Sequence, residues 1–226
     1  MLKTKKISEK NREQRRVIAN AAISVIHQAG LEGTRLRDVA RVANVTTGAV
    51  THYFDSKDAV LVAALEEVVQ NTLDRIDQGM AQNQPGDVDA FVARMSAYIP
   101  VDEEGRREWR VWLSFWGRAI ADPVLRKMHQ DYYRAFTDKL TISLITLRPS
   151  PPARGVAQAT SAQEMATARE CADAVIAAID GIGTRATLDP DLWDAERQRQ
   201  TLAALLSPLL QRFASAGETV SLPSKG

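Results

Sequence analysis

Hydrophobic positions recur with a helical period almost throughout the chain, and no stretch alternates with period two for long enough to make a convincing strand. Over residues 10–29, Val17, Ala21, Ile23, Val25 and Ile26 stand among polar positions at a spacing of about 3.6 residues, and the pattern closes at Gly30. Thr34 then reads as an N-cap whose hydroxyl accepts from the unpaired N–H groups of the next turn. The short helix it opens, residues 35–42, buries Leu36, Val39 and Ala40. Asn44 tolerates the left-handed conformation of a helix stop. Thr46 or Thr47 caps a third helix over residues 47–53, and Asp55 or Ser56 caps a fourth that starts at Lys57.

Further along, residues 82–86 read as a loop, 87–99 as a helix that Pro100 ends, and 106–121 as a helix carrying three of the four tryptophans. Asp122 caps the next helix, with Pro123 in its first position, and this helix runs to about Leu147. Residues 148–160, with three prolines and little apolar content, read as a mobile loop. A helix from Ser161 or Ala162 to Leu188 follows. The last runs from Asp191 or Leu192 to about Ala216, and Pro208 should kink it near Ala204, whose carbonyl loses its partner. The tail from Gly217 reads as frayed. The expected fold is all-α.

Composition narrows the class. The chain has 226 residues, 45% hydrophobic and 25% charged, which excludes a disordered chain. One cysteine, Cys171, excludes a disulfide scaffold and a cysteine-based zinc site; it borders an apolar stripe and reads as a small buried hydrophobe. No apolar run is long enough for a membrane span, and the basic N-terminus lacks the apolar core of a signal peptide, so the chain is expected to be cytoplasmic. The net charge of +1 hides an asymmetry. Residues 1–57 carry eleven Lys/Arg against five acids, a net of +6, whereas residues 58–226 carry 18 bases and 23 acids, a net of −5. A basic first quarter on an acidic remainder points to a module for a polyanion joined to a body with another task. The expected division is residues 1–56 for that module and 57–226 for that body.

Residues 34–53 read as two short helices joined by a tight turn. The second opens with Thr46, Thr47, Gly48 and Ala49, small residues that let its backbone approach the major groove, threonine adding a hydroxyl and a methyl for base edges. Thr51, His52 and Tyr53 close that helix with groups that reach phosphates or bases. Arg35, Arg37 and Lys57 stand at helix starts, where a cation and free N–H groups together favour phosphate. Lys3, Lys5 and Lys6 form either a DNA-contacting arm or a solvated terminus. The run GTRLRDVARVANVTTGAVTHYFDSKDAVLVAAL resembles the DNA-binding signature of the TetR family of bacterial repressors. That resemblance implies a homodimer on an inverted-repeat operator. The third helix would lie in the major groove through Thr46, Thr47, Gly48, Thr51, His52 and Tyr53, with Arg37 and Lys57 on the backbone. Thr51 stands where that family often has a larger residue.

Trp109, Trp112, Leu113, Trp116 and Ile120 fall on one helical face, bordered by Phe115, and the next helix brings Tyr132, Tyr133 and Phe136. They read either as core aromatics or as the wall of a cavity for a flat or cationic small molecule. Residues 108–136 and 171–188, the latter through Ile179-Asp180-Gly181 and Arg185, resemble the C-terminal domain of the BetI branch, choline-sensing repressors of glycine-betaine synthesis genes. An effector site at Trp109, Trp112, Trp116, Tyr132 and Tyr133 is the implied expectation.

Two apolar stripes remain, Ala172, Val175, Ile176, Ile179 and Gly183, and Leu202, Leu205, Leu206, Leu209, Leu210 and Phe213. Each faces either the chain's own core or a second copy. In the TetR family the last two helices form an intersubunit four-helix bundle, which implies Val175, Ile179, Gly183, Leu205 and Leu209 at a dimer interface. His27, His52 and His129 lack metal-ligand spacing, and no phosphate-binding glycine loop occurs. No cofactor or metal is expected. The rival classes are an all-α enzyme, for which no nucleophile–base pair speaks, and a protein-interaction bundle without DNA binding.

Overall fold

The computed structural model describes residues 9–148 and 161–215. Nine α-helices and one 3-10 turn make up their secondary structure: α1 (Glu9–Gly33), α2 (Leu36–Val42), α3 (Thr47–Tyr53), α4 (Lys57–Met80), α5 (Val88–Met95), the turn Ser96–Tyr98, α6 (Glu103–Ala119), α7 (Pro123–Leu147), α8 (Ala162–Leu188) and α9 (Ala195–Ser215). The basic arm at Lys3, Lys5 and Lys6, the proline-rich segment beyond Arg148 and the tail from Gly217 lie outside the described residues. Among the described residues, no helix is long and apolar enough to cross a membrane.

The chain forms two compact units. Among the described residues, one comprises 9–71 and 106–126, the other 72–105, 127–148 and 161–215. The boundary therefore falls within α4, in the first turn of α6 and near the start of α7, beyond the edge of the basic segment. The apolar face of α4 carries Val60, Leu61, Ala64 and Val68, all nearly inaccessible.

In the first unit, α1, α2 and α3 pack on one another around Ile18, Ala22, Ile26, Val39, Ala40 and Val50. Gly30 interrupts α1 with φ 70°, a conformation that only glycine adopts at little cost. Thr34 does not cap α2. Its buried hydroxyl donates to the Gly30 carbonyl at 2.7 Å and closes α1, and α2 begins at an extended Arg35 without a side-chain cap. The helix-stop role of Asn44 is observed, at φ 53°. α6 is tied to α1 by Arg110 Nη1, which donates to the His27 carbonyl at 2.9 Å, and to α4 by the Arg118–Asp58 pair at 3.3 Å.

In the second unit, α8 packs against α9 and α9 against α5, around Phe91, Ile99, Leu140, Leu144, Val175, Ile179, Leu202, Leu206 and Leu210. Ser161 and Glu164 form a reciprocal capping box that starts α8. Asp194, a few residues later than expected, caps α9 by accepting from the Arg197 amide at 2.8 Å. Helix α9 runs through Pro208; Ala204 and Pro208 are both exposed, so water can take the bond that the Ala204 carbonyl lacks. Trp193 lies buried between the guanidinium groups of Arg185, 4.6 Å from its ring centroid, and Arg197, at 5.1 Å. Cys171 is buried, and burial pushes its thiol up to about 11.

Candidate DNA-binding and effector sites

α3 is a two-turn helix whose orientation depends on its surroundings, because so short a helix is not stable by itself. Thr46, extended at φ −78° and ψ 154°, caps it by accepting from the Ala49 amide at 3.0 Å. Val50 anchors its inner side and is fully buried. The turn from α2 is fixed by the Val45 amide, which donates to the Ala40 carbonyl at 2.9 Å, and by the left-handed Asn44. What remains outward is the predicted set: Thr46, Thr47, Gly48, Thr51 and His52 are exposed on one short helix, with Tyr53 half-buried at its end. The Thr51 hydroxyl donates to the Gly48 carbonyl at 3.1 Å. The His52 and Tyr53 rings meet edge to face at 5.1 Å.

The flanking cations differ from one another. Arg37 is exposed on the first turn of α2. Lys57 is half-buried, and its ammonium donates to the Glu32 carbonyl at 3.0 Å, near the C-terminal end of α1. Arg15, which the charge pattern shows only as one more base, donates to the carbonyl of Tyr53 and lies over the Phe54 ring. The signal was available: Arg15 stands on the buried period of α1, three residues before Ile18 and seven before Ala22.

The aromatic residues divide between the units. Trp109, Trp112 and Trp116 belong to the first; Trp109 and Trp112 are buried, Trp116 is half-buried, and the Trp109 and Trp116 rings meet edge to face at 6.3 Å. The expected face is corrected at Ile120, which lies past the end of α6 and is 76% exposed; Phe115, bordering that face, is buried.

Tyr132 and Tyr133 belong to the second unit and sit in a cluster that is more than a core. Tyr132 stacks on Phe136 at 5.8 Å and meets Tyr133 edge to face at 5.4 Å; Phe136 in turn contacts Tyr98 at 5.9 Å. His129 stacks on Tyr133 at 4.3 Å. The Tyr133 hydroxyl donates to Asp180 Oδ2 at 2.9 Å. Burial pushes the Asp180 carboxyl up to about 6, opposed by the Tyr133 hydrogen bond. Burial and the Asp180 charge raise the Tyr133 hydroxyl, and burial lowers the His129 imidazole. A half-buried carboxylate bonded by a tyrosine of this aromatic cluster is a chemistry for an organic cation: the rings attract it, and its charge offsets the cost of the partly desolvated anion. Asp180, like Arg15, is a charge on an apolar period, four residues after Ile176.

The predicted dimer residues separate into two groups. Val175, Ile179 and Gly183 are buried in the chain's own packing, which leaves them no surface for a partner. On α9, Leu202, Leu206, Leu210 and Phe213 face inward as well, whereas Leu205 is 51% exposed and Leu209 is half-buried. Outward on α8 stand Ala174, Ala177 and Gly181. The inward and outward sets differ by one step in the helical period, and the sequence alone does not say which side meets the neighbouring helix. Among the described residues, no group of three or more His, Cys, Asp or Glu is placed to hold a metal ion.

Residues 18–64 match the family model of the tetR family of bacterial regulatory proteins, and residues 88–211 that of the BetI-type transcriptional repressor C-terminal domain. The HTH-type transcriptional regulator BetI of Burkholderia thailandensis is 31% identical over 182 residues, which cover 78% of this chain and 84% of the relative. The BetI protein of Burkholderia cenocepacia is 29% identical over 178 residues. Among solved structures, a transcriptional regulator from Rhodococcus sp. Rha1 superposes with a TM-score of 0.68 at 28% identity, covering 87% of this chain and 96% of that one. A Saccharomonospora viridis protein described as a transcriptional regulator, solved in complex with choline, superposes with a TM-score of 0.68 at 23% identity over the same shares. These families comprise transcriptional regulators, not enzymes. The chain belongs to the TetR family of bacterial transcriptional regulators and carries the C-terminal domain of the BetI-type repressors.

Proposed function

We propose that the protein acts in the cytoplasm as a homodimeric repressor that binds an inverted-repeat operator and is released by a small organic cation of the choline type. Residues 1–56 serve DNA, and residues 57–226 serve effector and dimer. The observation that carries the DNA reading is the Thr46-capped α3, with Thr47, Gly48, Thr51 and His52 exposed together on its outer face. Two such helices related by a twofold axis read two half-sites one helical turn apart. Release is a population shift, in which the effector binds better to a form whose recognition helices are mis-spaced for successive grooves.

DNA that the purified protein retains from a pool of random duplexes gives the operator. On that operator, Arg37→Ala is expected to weaken binding to all sequences alike and to shrink the salt slope by about one unit. Lys57→Ala should do the same to a smaller degree, since its ammonium already has the Glu32 carbonyl as a partner. A salt slope unchanged in both variants means that α2 and α4 do not face the phosphates.

The effector reading is supported by the half-buried Asp180 carboxylate, which accepts from the Tyr133 hydroxyl at the edge of the Tyr133, Tyr132 and Phe136 cluster, and by the choline held by the Saccharomonospora protein. Because the Asp180 carboxyl is raised to about 6, its contribution to stability is fully present below the usual carboxylate range and is lost as pH rises through about 6. A bound cation removes that loss only when Asp180 is ionised. Millimolar choline or betaine aldehyde should therefore raise the melting temperature at pH 7.5 and much less at pH 5. An equal or absent effect at both pH values, in the wild-type and in Asp180→Asn, excludes the carboxylate as the cation's partner.

A further inference from the structure

Residues 15 and 16, adjacent on α1, hold two different elements. The Arg16 guanidinium bonds Glu67 of α4 at 2.8 Å. The Arg15 guanidinium turns instead to the far end of α3. Its Nη1 donates to the carbonyl of Tyr53, the last residue of that helix, and its carbon centre stands 4.2 Å from the centroid of the Phe54 ring, which is only 2% exposed. The final carbonyls of a helix have no amide four residues on to take them up, and a cation there also meets the negative end of the helix dipole. Thr46 fixes the first turn of α3, Val50 its inner side, and Arg15 its last turn. On a helix of two turns, release of one end changes the direction in which every outer side chain points.

We propose that Arg15 is a positioning residue of operator recognition: it sets the angle of α3, and so the aim of Thr47, Thr51 and His52, without touching a phosphate. The proposal rests on the reading that α3 contacts bases. By charge alone Arg15 would be counted among the phosphate contacts of the basic segment, and the two roles have opposite signatures. A phosphate contact adds affinity for every sequence and about one unit of salt slope. A positioning contact adds affinity only where bases are read.

The test uses the full-length protein, a duplex it has selected from random-sequence DNA, and an unselected duplex of equal length, each titrated across a salt series. Failure of the wild-type protein to select any duplex would overturn the DNA reading itself, separately from the role of Arg15. If a duplex is selected, Arg15→Met, which keeps the apolar stem and removes charge and donors, is expected to weaken binding to it by about tenfold or more, while affinity for the unselected duplex stays within about twofold and both salt slopes hold. Arg15→Lys, with a charge and a donor but no planar face for Phe54, should recover part of the selectivity. If Arg15→Met does not fold, the Arg15→Lys selectivity ratio alone decides, and it must fall below that of the wild type. An unchanged ratio, or equal weakening on both duplexes with a salt slope lower by about one unit, overturns the proposal.

Discussion

A chain carrying Leu205→Glu and Leu209→Glu together is expected to sediment as a folded monomer and to bind its operator at least a thousandfold more weakly than the wild type. Folding survives because neither side chain fills the chain's own core. Leu205 is about half exposed and Leu209 half-buried, while Leu202, Leu206 and Leu210 occupy the interior of the α8–α9 pair. Association does not survive. A twofold interface doubles every change, so two substitutions place four carboxylates in one apolar seam. The effective cost of removing an unpaired carboxylate from water is several kcal/mol, and a nanomolar dimer has only about 12 kcal/mol in total. A monomer then reads one half-site and loses the second contact surface altogether. Leu206→Glu is the contrasting variant: at 1% exposure it should unfold the chain itself. A folded double variant that remains dimeric with wild-type operator affinity removes the outer face of α9 from the interface.

Gly48→Leu should separate stability from function in the opposite sense. Gly48 lies in the first turn of α3, where an added Cβ meets only the Thr46 hydroxyl oxygen, at 3.8 Å, an ordinary contact. Replacing glycine within a helix by a residue of good helix propensity is worth up to about 1 kcal/mol, so the melting temperature should stay level or rise slightly. Operator binding should nevertheless fall by a hundredfold or more, toward the level of non-specific DNA, because the larger side chain holds the helix backbone away from the base edges. Gly48→Ala should lie between the two. Filter binding or anisotropy beside a thermal melt gives both numbers. Wild-type affinity in Gly48→Leu would mean that this turn of α3 does not approach the groove.

The ends of helices were legible in the sequence wherever one side chain has one task. Asp122 caps the helix that its position announces, Thr46 and Ser56 are the caps among the alternatives Thr46 or Thr47 and Asp55 or Ser56, and Ser161 caps the helix expected to start at Ser161 or Ala162. Thr34 misled because a threonine between two helices has two neighbours in need of a partner. The carbonyl behind it, at the glycine break, took the hydroxyl instead of the amides ahead. The apolar stripes of α8 and α9 show the same limit at larger scale. Periodicity identifies a face, but Val175 and Ile179 on one helix and Leu205 on the other differ in fate only through which helix lies opposite. The exposure of Thr46, Thr47, Gly48, Thr51 and His52 was legible because their polar or small side chains stand off the apolar period that buries Val50. Arg15 and Asp180 were readable in principle, as charges standing on apolar periods, but their partners, the Tyr53 carbonyl and the Tyr133 hydroxyl, lie 38 and 47 residues away in the chain.

The internal engagement of Arg15 and Arg16 has a kinetic consequence. Two of the eleven bases in the first 57 residues are committed to the protein itself, and Lys57 is partly so. The remainder of the chain carries a net charge of −5, which genomic DNA repels. Such a repressor holds random DNA weakly and meets it head first. Its search for the operator should proceed by many short, correctly oriented visits with little long sliding, and few copies per cell should be idle on the wrong sequence. Under the proposed function, a small pool of protein then keeps the operator occupied and empties it promptly when the effector arrives.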